Sequence, residues 1–450
     1  MTPDAFGRSI TAVLAGTFTL RLSTGLTGTM LATYLAEFQQ HGGPDITALE
    51  LGVLSALYFA SELVLSPAFG VLSDHLGSHR VMQWGPFFGA VAVVMTAVST
   101  HSLLVGALGG LGILFWLGAT RLLEGAAAGA SIPSILGYIA AASSDDEALR
   151  GRVVSRFEAA TLAGLGLGVV AGPALFGAIG PIAFILNAGI YAISFAVYRW
   201  GVAELPAKAR PDRDEAGAQS SRFDIGAYLT LLRSRVVWLL APTWIALNAV
   251  IGSWTSQSVY QLVRPVSKGS RQFTDQVLSG GIDPTLVSAG AAVGLLVFLG
   301  GLLFWGNRFK RYRRTTIIAF GVGGGFAMLG GIAGVNHGQS FGWPVLALLV
   351  ILLLAGLFVL AGGTPAALGL LADMTEAHPE NRGAVMGLYS VFLGVGQIVG
   401  SLSAGIAADR LGFDGLILVS VLLLGVAVIP LRQLRGSEHL VDARPEASQA

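Results

Sequence analysis

Cysteine is absent from this chain, and charge is scarce. None of the 450 residues is Cys, which excludes disulfide staples, thiolate nucleophiles and cysteine-ligated metals. Asp, Glu, Lys and Arg make up only 12% of the sequence, about half of the ~25% typical of a soluble domain. Too few charges remain to coat a surface in water, so lipid is the solvent implied for most of the exterior. The net charge is +1, which offers no basic balance for nucleic acid. No Gly-rich phosphate loop ends in Lys, which argues against an ATP-driven pump, and the seven His show no metal-ligand spacing. The residues therefore point to no enzyme, no cofactor and no metal site. A short apolar core followed by a small-residue cleavage site is also missing at the N-terminus, so the first apolar run is expected to stay as a span.

What is present is apolar and rich in glycine. Hydrophobic residues form 53% of the chain, with 62 Gly, and the mean hydropathy is +0.70. Glycine at this level suits close helix packing in lipid. A span needs about 20 apolar residues. Twelve segments qualify, near 8–38, 48–72, 80–100, 103–142, 150–178, 181–200, 236–262, 284–305, 314–335, 342–372, 383–408 and 413–432. With the N-terminus inside, the inner segments collect 21 of the 27 Lys and Arg and the outer ones four, with Arg21 and Arg121 inside spans. That bias places both termini in the cytoplasm and predicts a multi-pass protein of the cell (inner/plasma) membrane.

The polar stretch Glu204–Asp224 mixes both charge signs with Pro, Ala and Ser, and reads as a cytoplasmic linker. The expected organisation is an N-terminal six-helix bundle (1–200), a linker (201–235), a C-terminal six-helix bundle (236–434) and a cytoplasmic tail (435–450). Internal repetition supports two halves. Pro133–Gly137 reads PSILG and Pro365–Gly369 reads PAALG, an offset of 232. The same offset relates Arg150 to Arg382, Gly151 to Gly383, Val153 to Val385, Gly164 to Gly396 and Gly168 to Gly400. An ungapped register across a loop and two spans reads as a duplicated unit. The role of the outer loop 264–283 stays open.

After the second span the chain reads GVLSDHLGSHR, from Gly70 to Arg80. Gly70 and Gly77 permit sharp turning and close packing. Asp74 can take a helix N-terminus or an Arg as partner. The loop resembles the signature between helices two and three of the major facilitator superfamily. His75 and His79 stand where basic residues are usual, and Arg80 sits one place late. The resemblance implies an all-α fold of twelve transmembrane helices in two pseudo-symmetric six-helix bundles. It also implies a conformational latch of Gly70, Asp74, Gly77, Arg80 and Arg382, with Asp74 facing the start of helix eleven near Arg382–Gly383. A second copy of the pattern, GIAADRLG from Gly405 to Gly412, falls on the outer side and is expected to be a turn. The true counterpart is expected at Asn307–Arg314.

Further motifs carry the same resemblance. Arg121, followed by Gly125 and Gly129, is similar to the family's fourth-helix motif. Gly168, Gly172, Pro173 and Gly177 are similar to a fifth-helix motif found mainly in proton-coupled exporters, with Phe176 where Gly is usual. The eleventh span keeps Gly400 but not the Pro, so the motif is one-sided. The alternative is an ordinary Gly-rich interface.

Ionisable groups inside a membrane are expensive and default to function. Arg21, Glu62, Arg121 and Glu124 all lie deep in the first half. Glu124 is at i+3 from Arg121, near enough to pair on one face. A carboxylate that loses its Arg as a cavity opens would take up a proton. Substrate contact and purely structural pairing are the alternatives. Uncharged polar and aromatic residues are candidates to line a substrate cavity: Tyr58, Trp244, Asn248, Trp254, Gln257, Tyr389 and Gln397. Their alternative is anchoring at the lipid interface. The expectation is a monomeric, proton-coupled exporter of small amphipathic organic compounds, resembling the drug:proton antiporter branch. An uptake symporter or facilitator for a metabolite, and a non-transporting assembly or lipid-handling member, remain open alternatives.

Overall fold

The computed structural model describes residues 3–143, 147–204, 235–265, 273, 275–308, 311–367, 370 and 382–436. Among them the chain is helical throughout. The elements are α1 (Pro3–Ala36), α2 (Ala48–Leu76), α3 (Ser78–Val81), α4 (Trp84–Val98), α5 (Ser102–Ala142), α6 (Glu147–Ile179) and α7 (Ile182–Ala196). They continue with α8 (Arg235–Val263), α9 (Pro284–Gly306), α10 (Arg314–Asn336), α11 (Trp343–Leu360), α12 (Arg382–Leu411) and α13 (Phe413–Gly436). Among the described residues, ten helical segments are long and apolar enough to cross a membrane; twelve were expected of the whole chain. The difference lies in α1 and α8. Both have the length, at 34 and 29 residues; in α1 Arg21 and the Ser and Thr residues lower the hydropathy, and the side chains that open α8 lie outside the described residues.

Local chemistry sets the helix ends. Thr47 caps α2 reciprocally: its hydroxyl accepts from Glu50 N at 3.1 Å, and the Glu50 carboxylate accepts from Thr47 N at 2.7 Å. Gly77, at φ 92, ends α2 and opens α3. The stretch Gly405–Arg410, expected as a turn, is instead helical and completes α12. The reversal falls on Gly412 alone, at φ 62. Two alanines in that stretch favour helix, and only the following glycine tolerates a left-handed conformation.

The chain divides into two compact units. One comprises Met1–Phe223, Val263–Pro265 and Ile282–Ala291; the other comprises Asp224–Leu262, Val266–Gly281 and Ala292–Ala450. Most of the expected linker, residues 205–234, and the tail 437–450 lie outside the described residues. The segment before the linker is fastened to the first unit. Ala203 N donates to Ser9 Oγ at 3.1 Å, Tyr138 donates to Ala203 O at 2.9 Å, and Arg80 pairs with Glu204 at 3.5 Å.

Each unit contains the same glycine seam. In the first, Gly164 and Gly168 of α6 lie on the carbonyls of Phe18 and Leu22 in α1, and Gly25 answers from α1. In the second, Gly396 and Gly400 of α12 lie on the carbonyls of Ile245 and Ala249 in α8, and Gly252 answers against Gln397. A Cβ at Gly168 would sit 2.7 Å from Leu26 N, and one at Gly252 2.6 Å from Gln397 Cα. Only hydrogen fits between such backbones, the small-residue packing that helices use in lipid. The 232-residue offset seen in the sequence thus recurs as equivalent packing within each unit.

Candidate functional site

In the first unit three helices bring rare charges to one place, and a fourth adds an amide and a phenol. Arg121 and Glu124 on α5 are buried, at 6% and 4% exposure, and form an ion pair with each other. The pairing is within one helix, as the i+3 spacing allows. It is incomplete: Arg121 Nε and Glu124 Oε1 have no hydrogen-bond partner among the described residues. Buried polar atoms are normally satisfied, so each such atom calls for an explanation.

The glycines after Arg121 draw α2 against α5. A Cβ at Gly125 would fall on Tyr58 O and lie 2.7 Å from Ser61 Cβ; one at Gly129 would lie 3.3 Å from Glu62 O. Ser61 donates to Leu122 O at 2.6 Å and fixes the register. Close approach of backbones thus delivers Glu62 beside the α5 pair. Glu62 itself makes no direct ion pair among the described residues, and Arg21 of α1 is the cation that acts on it. Tyr58, one turn before Glu62, lies within electrostatic reach of Glu62, Arg21, Glu124 and Tyr191. The structure therefore brings together all four charges expected to be buried, with Tyr58 among them.

The sequence reading missed two members of this cluster on α7. Asn187, fully buried, donates through Nδ2 to Thr27 Oγ1 at 2.8 Å and to Ser23 O at 3.1 Å. The Thr27 hydroxyl spends its own proton on Ser23 O at 2.8 Å. Tyr191, one turn later and 1% exposed, closes the cluster from the same helix. The available signal was Asn187 itself, the single amide in the apolar run Pro181–Ala196.

The other expected site residues fall elsewhere. Gly168 and Gly172 lie on α1 at Leu22 and Thr29, and a Cβ at Gly177 would meet Pro284 at 3.1 Å; Pro173 sits inside α6. Of the expected latch, Gly70 is loosely packed, with Pro133 at 3.8 Å from a would-be Cβ. Asp74 is exposed, Gly77 makes the turn, and Arg80 turns to Glu204. The side chains of Arg382 and Tyr389 lie outside the described residues.

Several cavity candidates lie in the second unit. Trp244, Asn248 and Gln257 are buried, and Asn248 Nδ2 donates to Trp244 O of its own helix at 2.9 Å. Trp254 donates to Ser420 Oγ at 2.9 Å and meets the Phe413 ring edge-on at 5.8 Å. Gln397 contributes backbone to the Gly252 seam. Among the described residues, α8–α13 carry charge only near their ends.

A family comparison decides what kind of protein bears this arrangement. The family model of the Major Facilitator Superfamily matches residues 13–359 and 281–448. The chain belongs to that superfamily. It is a multi-pass membrane transporter acting on small molecules, and it is not an enzyme. Uncharacterised MFS-type transporters of Mycobacterium tuberculosis strains CDC 1551 and H37Rv are each 25% identical to it over 432 residues, covering 91% of this chain and 91% of theirs. Crystal structures of the nucleoside transporter NupG and of a variant of it match the transporter with TM-scores of 0.66 and 0.67. Their identities are 12% and 13%, and they cover 95% of this chain and 98% and 99% of NupG. At such identity the likeness concerns the fold alone.

Proposed function

We propose that this transporter exports small amphipathic organic compounds in exchange for protons, by alternating access between two six-helix halves. The observation that carries the proposal is the charged cluster of the first unit, in which Arg121 and Glu124 are buried and Arg21 and Glu62 half-buried. Glu62 has no direct ion pair among the described residues, Arg21 is the cation acting on it, and the Arg121–Glu124 pair lies alongside. A carboxylate held near, but not on, its counter-ion can accept a proton in one state and release it when the cation closes in. The one-sided glycine and proline pattern of α6 agrees with an exchanger. The proposal includes twelve spans, halves at 1–200 and 236–434 joined by a cytoplasmic linker, both termini in the cytoplasm, and a latch from Asp74 to the start of α12.

The test is direction under a proton gradient. Inverted vesicles acidified inside, with this transporter and a panel of fluorescent amphipathic dyes, should accumulate dye. Accumulation should collapse on adding a protonophore and be absent in Glu62→Gln. Accumulation in right-side-out vesicles under an inward proton gradient would favour uptake instead. Transport indifferent to the gradient would overturn proton coupling.

A further inference from the structure

The loops that follow the second helix of each half spend their cations differently. In the first unit His79 Nε2 lies 3.1 Å from Tyr198 O, and Arg80 pairs with Glu204. Those groups are committed to the protein. The counterpart, Asn307–Arg314, contains Arg308, Lys310, Arg311, Arg313 and Arg314 without one carboxylate. Lys310 lies outside the described residues. The Arg308 guanidinium lies 4.5 Å over the Phe304 ring, and that of Arg311 lies 5.7 Å over Tyr312. Neither Arg308 nor Arg311 has a carboxylate partner among the described residues.

The rings beneath them form a cluster of tilted and edge-to-face pairs. Phe304 meets Trp305 at 5.4 Å and Phe358 at 5.3 Å; Phe320 meets Trp305 at 6.0 Å and Tyr312 at 6.2 Å. Trp305 Nε1 is held by Phe358 O at 3.2 Å. Phe304 and Phe320 remain 40% and 44% exposed. A ring face orients a guanidinium without consuming its five N–H donors. The loop joins the ends of two candidate spans, α9 and α10, so it lies at the depth of lipid headgroups.

We propose that Arg308, Arg311 and this aromatic cluster form a docking site for an anionic phospholipid. Its phosphodiester takes Arg308 and Arg311, and its upper acyl chain covers Phe304 and Phe320. The exposed rings beside the cations favour a lipid over free phosphate, which has nothing to place on them. The proposal rests on membrane insertion alone and stands apart from proton coupling.

The full-length transporter is placed in phosphatidylcholine nanodiscs containing phosphatidylglycerol, with one or the other lipid brominated on its acyl chains. Bromine quenches nearby Trp fluorescence, and a Trp305→Phe variant isolates the contribution of Trp305 from the other Trp residues. Brominated phosphatidylglycerol should quench Trp305 more than brominated phosphatidylcholine at equal mole fraction. In Arg308→Gln/Arg311→Gln that preference should fall roughly tenfold or more at low salt. The double variant's thermal stability in pure phosphatidylcholine should match the parent's, which confirms that it folds. Equal quenching by the two lipids, a preference unchanged in the double variant, or displacement by inorganic phosphate would each overturn the proposal.

Discussion

Replacing one seam glycine and one open glycine by alanine separates the packing role of this residue from its helix propensity. At Gly168 a Cβ would fall on Leu22 O and sit 2.7 Å from Leu26 N and 2.9 Å from Gly25 Cα, where 3.4 Å is an ordinary contact. All three are backbone positions of α1, so no side chain can swing away. The two helices must part by at least about 0.7 Å along the seam. Overpacking of this kind costs about 1–3 kcal/mol. At Gly28, also inside a helix, nothing lies within 4 Å of a would-be Cβ. Both variants gain the alanine propensity of roughly 1 kcal/mol, so this gain cancels in the comparison. Gly28→Ala should then be more heat-stable than Gly168→Ala by about 1–3 kcal/mol. Gly400→Ala should behave as Gly168→Ala does, since its Cβ would lie 2.8 Å from Ala249 Cα. The assay is the temperature at which detergent-purified protein loses its monodisperse peak, read at one fixed heating rate because unfolding is governed by its rate. Equal stability of Gly28→Ala and Gly168→Ala would refute the seam.

Two further outcomes follow from the charges. Arg121→Ala leaves the Glu124 carboxylate buried without its partner and should cost about 3–5 kcal/mol; Arg121→Met/Glu124→Gln should recover most of that stability. Thermal stability checks both, and Arg121→Ala melting with the wild type would show the ion pair to be energetically idle. Outside the spans, Asp283 accepts from Thr285 N at 2.8 Å at the start of α9. That hydrogen bond holds its carboxyl below the usual carboxylate value. The folded value lies below the unfolded one, so the contribution to helix stability is present above the unfolded pKa. It is lost as pH falls through the folded pKa. Amide exchange at the start of α9, corrected for intrinsic rates, should speed up in acid in the wild type. In Asp283→Asn, which keeps a cap but cannot titrate, the acid dependence should vanish.

Much of this architecture was legible because hydropathy acts along the chain. A span is a local property of about 20 residues, so the helices could be read without knowing their neighbours. The weakest signal among them is that of α1, whose Arg21, Ser and Thr dilute it. The buried charges were legible for the same reason: Arg21, Glu62, Arg121 and Glu124 stand out against apolar surroundings. Asn187 and Tyr191 were passed over because an uncharged amide and a phenol do not stand out in this way. Their membership depends on α7 lying against α1.

The sequence by itself determined that the chain lives in lipid, that it is built from repeated helical units, and that its deep charges belong to the first of them. Tertiary structure decided which glycine matters. Gly25 and Gly28 are three residues apart on α1, yet one is pressed against α6 and the other meets nothing. It likewise decided that Arg121 pairs with Glu124, that Arg80 turns to Glu204, and that Arg308 and Arg311 lie on aromatic rings. The physical reason is common to all of these. Composition fixes the free energy of placing a segment in lipid. The partner of a given atom depends on which faces of two helices meet, and that is a property of the packed chain.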